Sequence, residues 1–308
     1  MKQLVILSGK GGTGKTSLAA AFAHLASQSP LANRIVLADV DVDAANLELV
    51  LQSRLLEQED FLGGQVAVID KNTCASCGDC EAVCRFDAIH HTDSFYAVDP
   101  IACEGCAACV YQCPNESISM HEQVAGVSCV SDTRYGPLYH ANLYAGRENS
   151  GKLVTLVKQR ARLQALDENR DLVIVDGPPG IGCPVISAAS GADLVLIVAE
   201  PTAAGVHDMK RILQITEHFQ LPSLVCINKA DIYLLGTKQI EAYCWDNDFD
   251  VAGRIPFDEV VTDAMVHGEP VTAYKPNAPI SQAIIGIWCS IIESLSIQNI
   301  SMGLEESP

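Results

Sequence analysis

The segment Gly9-Lys10-Gly11-Gly12-Thr13-Gly14-Lys15-Thr16 constrains the fold of this chain more than any other. An apolar run, Leu4 to Leu7, precedes it and reads as a buried parallel strand. An Ala-rich run from about Ser17 to Ser27 follows and reads as a helix. Strand, glycine loop and helix in that order form the context a phosphate-binding loop requires. The glycines let the backbone curl until successive N–H groups face inward on an anion. The helix behind adds the positive end of its dipole. Lys15 is placed to reach the β- and γ-phosphates of a nucleotide, and the Thr16 hydroxyl to ligate Mg²⁺.

Strand-then-helix units recur along the chain. Arg34 to Ala38 is a second apolar strand, and it ends in Asp39, Asp41 and Asp43. Carboxylates at the carboxyl end of a parallel strand lie on the ligand side of an open α/β sheet. Between Asp171 and Asp176 four apolar residues form another buried strand, and Asp176 emerges where it can hold Mg²⁺ through water. Gly177 and Gly180 flank two prolines in a loop able to sense a γ-phosphate. Leu194–Ala199 and Ser223–Ile227 are two more strands, each ahead of a helical run. Asn228, directly after the last, suits adenine recognition. The expected fold is α/β: a doubly wound, mostly parallel sheet.

Between these halves the chain changes character. The spacing is Cys74-x₂-Cys77-x₂-Cys80-x₃-Cys84, then Cys103-x₂-Cys106-x₂-Cys109-x₃-Cys113-Pro114. Every cysteine of the second copy lies 29 residues after its counterpart, and Asp70/Asp99 and Ile89/Ile118 keep that offset. The pattern is an internal duplication of a ferredoxin unit with two 4Fe–4S clusters. Three close thiolates wrap one cubane while the fourth cysteine serves the other cluster. One cluster is thereby assigned Cys74, Cys77, Cys80 and Cys113, and the other Cys103, Cys106, Cys109 and Cys84. Zinc is the competing reading, although zinc sites seldom use three cysteines at this spacing twice over. Arg85 stands where simple bacterial ferredoxins usually carry proline after the fourth cysteine. Acids outnumber bases in this insert, a face that steers a basic redox partner or simply keeps the insert in solution.

The stretch GKGGTGKT, with Lys10 directly after the first glycine, resembles the deviant loop of the MinD/ParA/Mrp superfamily of P-loop ATPases, which includes the nitrogenase iron protein. The resemblance implies ATP held by Gly9, Gly11, Gly12, Thr13, Gly14, Lys15, Thr16 and Ser17, with Mg²⁺ near Thr16, Asp39 and Asp176. It makes Lys10 the residue that crosses a dimer interface to the partner's nucleotide, and Asp41 the one that orients the attacking water. Asn46 matches a family position, whereas Asp43 replaces what is often glycine. Asn228 and the later segment Arg254-Ile255-Pro256-Phe257-Asp258 would enclose the base. The implied protein is a nucleotide-gated homodimer, with an ATPase domain of 1–63 and 122–308 and a ferredoxin domain of 64–121 inserted in it. Its implied task is ATP hydrolysis coupled to electron transfer to a redox or metallocluster partner. A cofactor maturation factor or carrier is the alternative, but the C-terminal Cys-x-x-Cys pair of Mrp-type carriers is absent. A MinD/ParA-like positioning protein is the third reading, and it leaves the clusters without a task.

Composition narrows the partners. A formal net charge of −18 over 308 residues argues against nucleic acid, whose phosphates would be repelled. Apolar content of 48% is ample for a buried core. No run is long enough to span a bilayer, and Gly9 cuts short the apolar start that a signal peptide needs. Thirteen cysteines without an export signal point to metal rather than disulfides, and to the cytoplasm. Cys129, Cys183, Cys226, Cys244 and Cys289 are scattered and read as small buried hydrophobes, Cys183 being notable beside the Gly177–Gly180 loop. His90-His91 reads as a surface pair. Val124 to Tyr144 reads as strands, Gly146 to Lys152 as a polar loop with Asn149 or Ser150 as helix cap, and Pro279 to Ile300 as a core-packing apolar helix.

Overall fold

The computed structural model describes residues 1–146 and 150–297. The chain opens with β1 (Lys2–Ser8), α1 (Lys15–Ser27), β2 (Ile35–Asp39), the single turn α2 (Leu47–Val50) and the long β3 (Arg54–Ile69). Next come α3 (Asp79–Val83), β4 (Ile89–His91), β5 (Tyr96–Val98), α4 (Ala108–Gln112), β6 (Ile118–Thr133) and β7 (Gly136–Leu143). The remainder alternates: α5 (Ser150–Asp167), β8 (Leu172–Pro179), α6 (Cys183–Ala189), β9 (Leu194–Ala199), α7 (Ala203–His218), β10 (Ser223–Asn228), α8 (Leu234–Asp246) and β11 (Asp250–Ile255). Three helices close it: α9 (Val260–Val266), α10 (Val271–Tyr274) and α11 (Pro279–Ser294). Asn149 and everything after Ile297 lie outside the described residues, and Ser150 is the first residue of α5.

Two compact units result, one of 1–58, 128–142 and 150–308, the other of 59–127 and 143–149. The chain passes from the first to the second within β3 and returns within β6. Among the described residues one sheet of nine strands runs β11-β10-β9-β1-β8-β2-β7-β6-β3. From β11 to β7 every adjacent pair is parallel. β1, β2 and β9 are buried residue by residue because helices cover both faces, which is why they read as unbroken apolar runs. Gly177 is required beside β1, since a Cβ there would lie 2.6 Å from the Ile6 carbonyl oxygen.

The core of the first unit gathers α1, α11 and one face of the sheet. Phe22 of α1 and Trp288 of α11 stack with ring centroids 5.3 Å apart. Cys129, Cys226 and Cys244 are buried as expected, whereas Cys183 and Cys289 are exposed, so small-hydrophobe packing does not account for those two.

The second unit repeats itself in three dimensions. α3 and α4 begin 29 residues apart, each preceded by a left-handed residue, Gly78 (φ 87°) or Ala107 (φ 60°). Asp70 accepts from the Asn72 N–H at 2.9 Å and Asp99 from the Ile101 N–H at 2.8 Å. Its core is three pairs at the same offset: Ala67 with Tyr96, Cys80 with Cys109, Ile89 with Ile118. The two copies are also crossed. The Asp70 N–H donates to the Ser117 carbonyl at 2.8 Å, and the Asp99 N–H to the Ala88 carbonyl at 2.7 Å.

Trp288 is fully buried and its indole nitrogen has no partner among the described residues. Trp288→Ala is expected to lower unfolding stability in urea by about 3–5 kcal/mol, through lost transfer energy and the cavity left behind. Trp288→Phe, which keeps an aromatic ring and removes the unpaired N–H, should cost under about 1.5 kcal/mol.

Candidate functional site

The carboxyl ends of β1, β2, β8 and β10 converge on the glycine loop. Gly12 (φ 77°) and Gly14 (φ 95°) both sit in the left-handed region, which fits glycine there. The Ser8 hydroxyl donates to the Lys10 carbonyl at 2.8 Å, and the Lys15 ammonium donates to the Ser8 hydroxyl at 3.0 Å. Lys15 is buried and folded back against its own loop. Gly9 packs on α7, where a Cβ would lie 2.0 Å from the Asp208 Cβ.

Three predicted carboxylates gather beside Lys15. Asp39 and Asp176 are direct partners in the β2–β8 register, and both are fully buried. Asp39 accepts from the N–H groups of Asp41 (3.1 Å), Asn46 (3.0 Å) and Leu47 (3.0 Å). Thr16 donates its hydroxyl to Asp176 Oδ2 at 2.6 Å, and the other oxygen, Oδ1, is buried without a partner among the described residues. Burial, and then the charge of Asp176, raise the Asp39 pKa well above the carboxylate range, against the opposing pull of the Leu47 and Asp41 N–H groups. Burial likewise pushes Asp176 up to about 6, with Thr16 and Lys15 opposing. Burial raises Asp41 too, and Lys15 opposes it. Asp43 is exposed.

Lys10 is engaged within its own chain, its ammonium 2.6 Å from Glu200 Oε2. Glu200 Oε1 lies 2.5 Å from the Lys229 ammonium, which also donates to the Gly12 carbonyl at 3.3 Å. Sequence reasoning missed Glu200 and Lys229, although a carboxylate directly after the buried strand β9 carries the same signal that singled out Asp39. Asn228 uses its amide N–H to bond the Thr13 carbonyl at 2.7 Å, so its side chain braces the loop. It also lines a largely apolar pocket with Gly12, Ser17, Pro256, Phe257 and Asp258. The Phe257 N–H donates to Asp231 at 2.7 Å, fixing that wall.

In the second unit, Cys74, Cys77, Cys80 and Cys113 line one chamber together with Ile69, Tyr96 and Ile118. Cys113 accepts from the Ser117 N–H at 3.3 Å, and its counterpart Cys84 from the Ala88 N–H at 3.4 Å. Backbone N–H groups of Tyr96 and Ser76 draw the Cys74 thiol below its ordinary pKa. Burial raises Cys109, and neighbouring Cys103 and Cys106 add to the rise. Among the described residues no three His, Cys, Asp or Glu side chains converge tightly enough to hold one metal ion. His90 and His91 are exposed, as is Arg85.

Comparison with known proteins follows this geometry. The CobQ/CobB/MinD/ParA nucleotide binding domain matches residues 4–271. An uncharacterized protein of Methanocaldococcus jannaschii is 34% identical over 282 residues, covering 92% of this chain and 93% of that protein. The septum site-determining protein MinD of Bacillus subtilis is 26% identical over 284 residues, covering 89% and 83%. The MinD structure from Pyrococcus horikoshii, complexed with Mg-ADP, shares the fold with a TM-score of 0.56 at 18% identity, covering 94% of this chain and 95% of that one. No helix among the described residues is long and apolar enough to cross a membrane. The chain therefore belongs to the CobQ/CobB/MinD/ParA family of nucleotide-binding proteins.

Proposed function

We propose that this protein is a Mg·ATP-hydrolysing homodimer whose inserted ferredoxin domain, residues 64–121, carries two 4Fe–4S clusters and passes electrons to a partner protein. The observation that carries the redox half is the chamber where Cys113 joins Cys74, Cys77 and Cys80 across the two copies. A cubane takes one thiolate per iron, so its four cysteines surround a volume instead of converging on a point. The absence of a single-ion site among the described residues is compatible with that arrangement. Cys103, Cys106, Cys109 and Cys84 would hold the second cluster. When bound, the clusters supply one-electron chemistry; the chain contributes the thiolates and the N–H groups aimed at them.

The nucleotide half rests on the buried oxygen of Asp176 that has no partner. A buried, unpaired carboxylate oxygen is costly, and a hydrated Mg²⁺ held with Thr16 would satisfy it. Lys15 would bind the phosphates of its own subunit. Lys10 would leave Glu200 to reach the partner's phosphates, and Asp41 would place the water. The base would occupy the pocket of Asn228, Pro256, Phe257 and Asp258.

Asp176 gives a pH signature. Its pKa in the folded chain, about 6, lies above the unfolded value, so its favourable contribution is complete below the unfolded pKa and lost as pH rises through 6. Asp176→Asn should therefore stabilise the nucleotide-free protein at pH 7.5, by at most ~3 kcal/mol, and leave it unchanged below about pH 3. In thermal denaturation the same variant should lose the stabilisation that Mg·ADP gives the wild type. That stabilisation should itself weaken below pH 6.

Lys15→Ala is expected to weaken nucleotide binding, whereas Lys10→Ala should leave binding intact and abolish ATP-dependent dimerisation and hydrolysis. Equilibrium binding and sedimentation velocity on both variants separate the roles; equal loss of binding would refute the cross-subunit assignment.

Anaerobically purified protein should carry about eight irons, four per cubane. Titration of a non-hydrolysable ATP analogue into oxidised and reduced protein tests the coupling. A difference of roughly five- to 150-fold is expected. Cys113→Ser should damage the cluster held by Cys74, Cys77 and Cys80, reducing that difference. Equal affinities in both redox states of the wild type would remove the case for ATP-gated electron transfer.

A further inference from the structure

At the opposite end of β1 from the glycine loop lies a second cleft with about 840 Å³ of empty space. Gln3 at the start of β1, Lys158, Gln159 and Arg162 of α5, and Ser187 and Ser190 at the end of α6 line it, and no acidic side chain does. Lys158 is only 8% exposed. Its ammonium donates to the carbonyls of Ser187 (3.2 Å), Ala188 (2.5 Å) and Ser190 (2.7 Å). Those bonds cap the carboxyl end of α6, where a cation is favoured, and they explain why a lysine is tolerated there.

Capping does not explain the rest of the lining. All three ammonium hydrogens are spent on neutral carbonyls, and among the described residues the positive charge has no counter-ion. Burial, and then repulsion from Arg162, pull Lys158 down to about 8, so it stays mostly charged at neutral pH. Arg162 is exposed and forms no ion pair among the described residues. Gln3 is 4% exposed, and its amide nitrogen is buried without an acceptor among the described residues. Two neighbouring cations and an unspent donor, in a chain of formal charge −18, want an anion. A planar guanidinium fork beside an amide donor matches the oxygens of a phosphate or carboxylate.

We propose that this cleft is a binding site for a small oxyanion, a phosphate or carboxylate group, held by the Arg162 guanidinium and the Gln3 amide with Lys158 as the fixed countercharge. The site is separate from the glycine loop and does not depend on the ATPase reading.

Inorganic phosphate and succinate are the probes, titrated into the full-length protein at ionic strength held constant with chloride, and read by thermal shift and calorimetry. Wild type should show saturable binding of at least one probe. Arg162→Gln, a surface change that leaves the α6 cap untouched, should weaken it by about tenfold or more, the loss of one charge-assisted contact. Phosphate can also enter the glycine loop, so Lys15→Ala serves as the second variant, and the cleft's binding should survive in it. Which probe binds distinguishes phosphate from carboxylate. Identical titrations of wild type and Arg162→Gln, or an effect that chloride reproduces, would overturn the site.

Discussion

Two carboxylates buried side by side, Asp39 and Asp176, set the terms for the first unit. Parallel pairing of β2 with β8 forces them into register at the strand ends, where both are fully buried. Neither side chain can ionise cheaply unless donors or cations reach it. Asp39 meets the demand locally, through three backbone N–H groups of the segment that follows it. Asp176 meets only half of it, through Thr16, and relies on Lys15 nearby. The loop, the first helix and the two central strands are thus tied together by one electrostatic problem. The Mg²⁺ proposed above would complete its solution.

The second unit meets a different constraint, that of building a core from few residues. It duplicates one short motif and crosses the copies, so that each contributes one member to every core pair. The backbone bonds from Asp70 to Ser117 and from Asp99 to Ala88 lock this exchange. Cys80 and Cys109 sit in that core, so the packing that holds the unit together also orients its buried thiols.

Much of this was legible in the chain itself. The glycine loop and the eight cysteines announce themselves because their chemistry demands fixed spacings, and periodicity exposed the buried strands. Contacts between distant segments were not legible. Nothing local to Lys10 says that Glu200 holds it, and nothing local to Asn228 says that it braces Thr13. The Arg162 cleft is likewise assembled from three separated stretches, each unremarkable alone. The two exposed cysteines mark another limit, since a lone cysteine carries no periodic signal of which way it faces.

Crossing the two copies also orders events as the polypeptide is made. Cys74, Cys77 and Cys80 are among the first of the eight thiols to leave the ribosome, yet their chamber lacks a wall until Cys113 arrives. The other set proposed above, Cys84 with Cys103, Cys106 and Cys109, would be complete at Cys109, four residues earlier. With the two sets proposed above, neither could close on a nascent chain that stops between the copies, and both would be completed almost together. Under the ligation proposed above, cluster loading would be postponed until nearly the whole of residues 64–121 had been synthesised, and a half-made chain would be shielded from capturing iron in the wrong place.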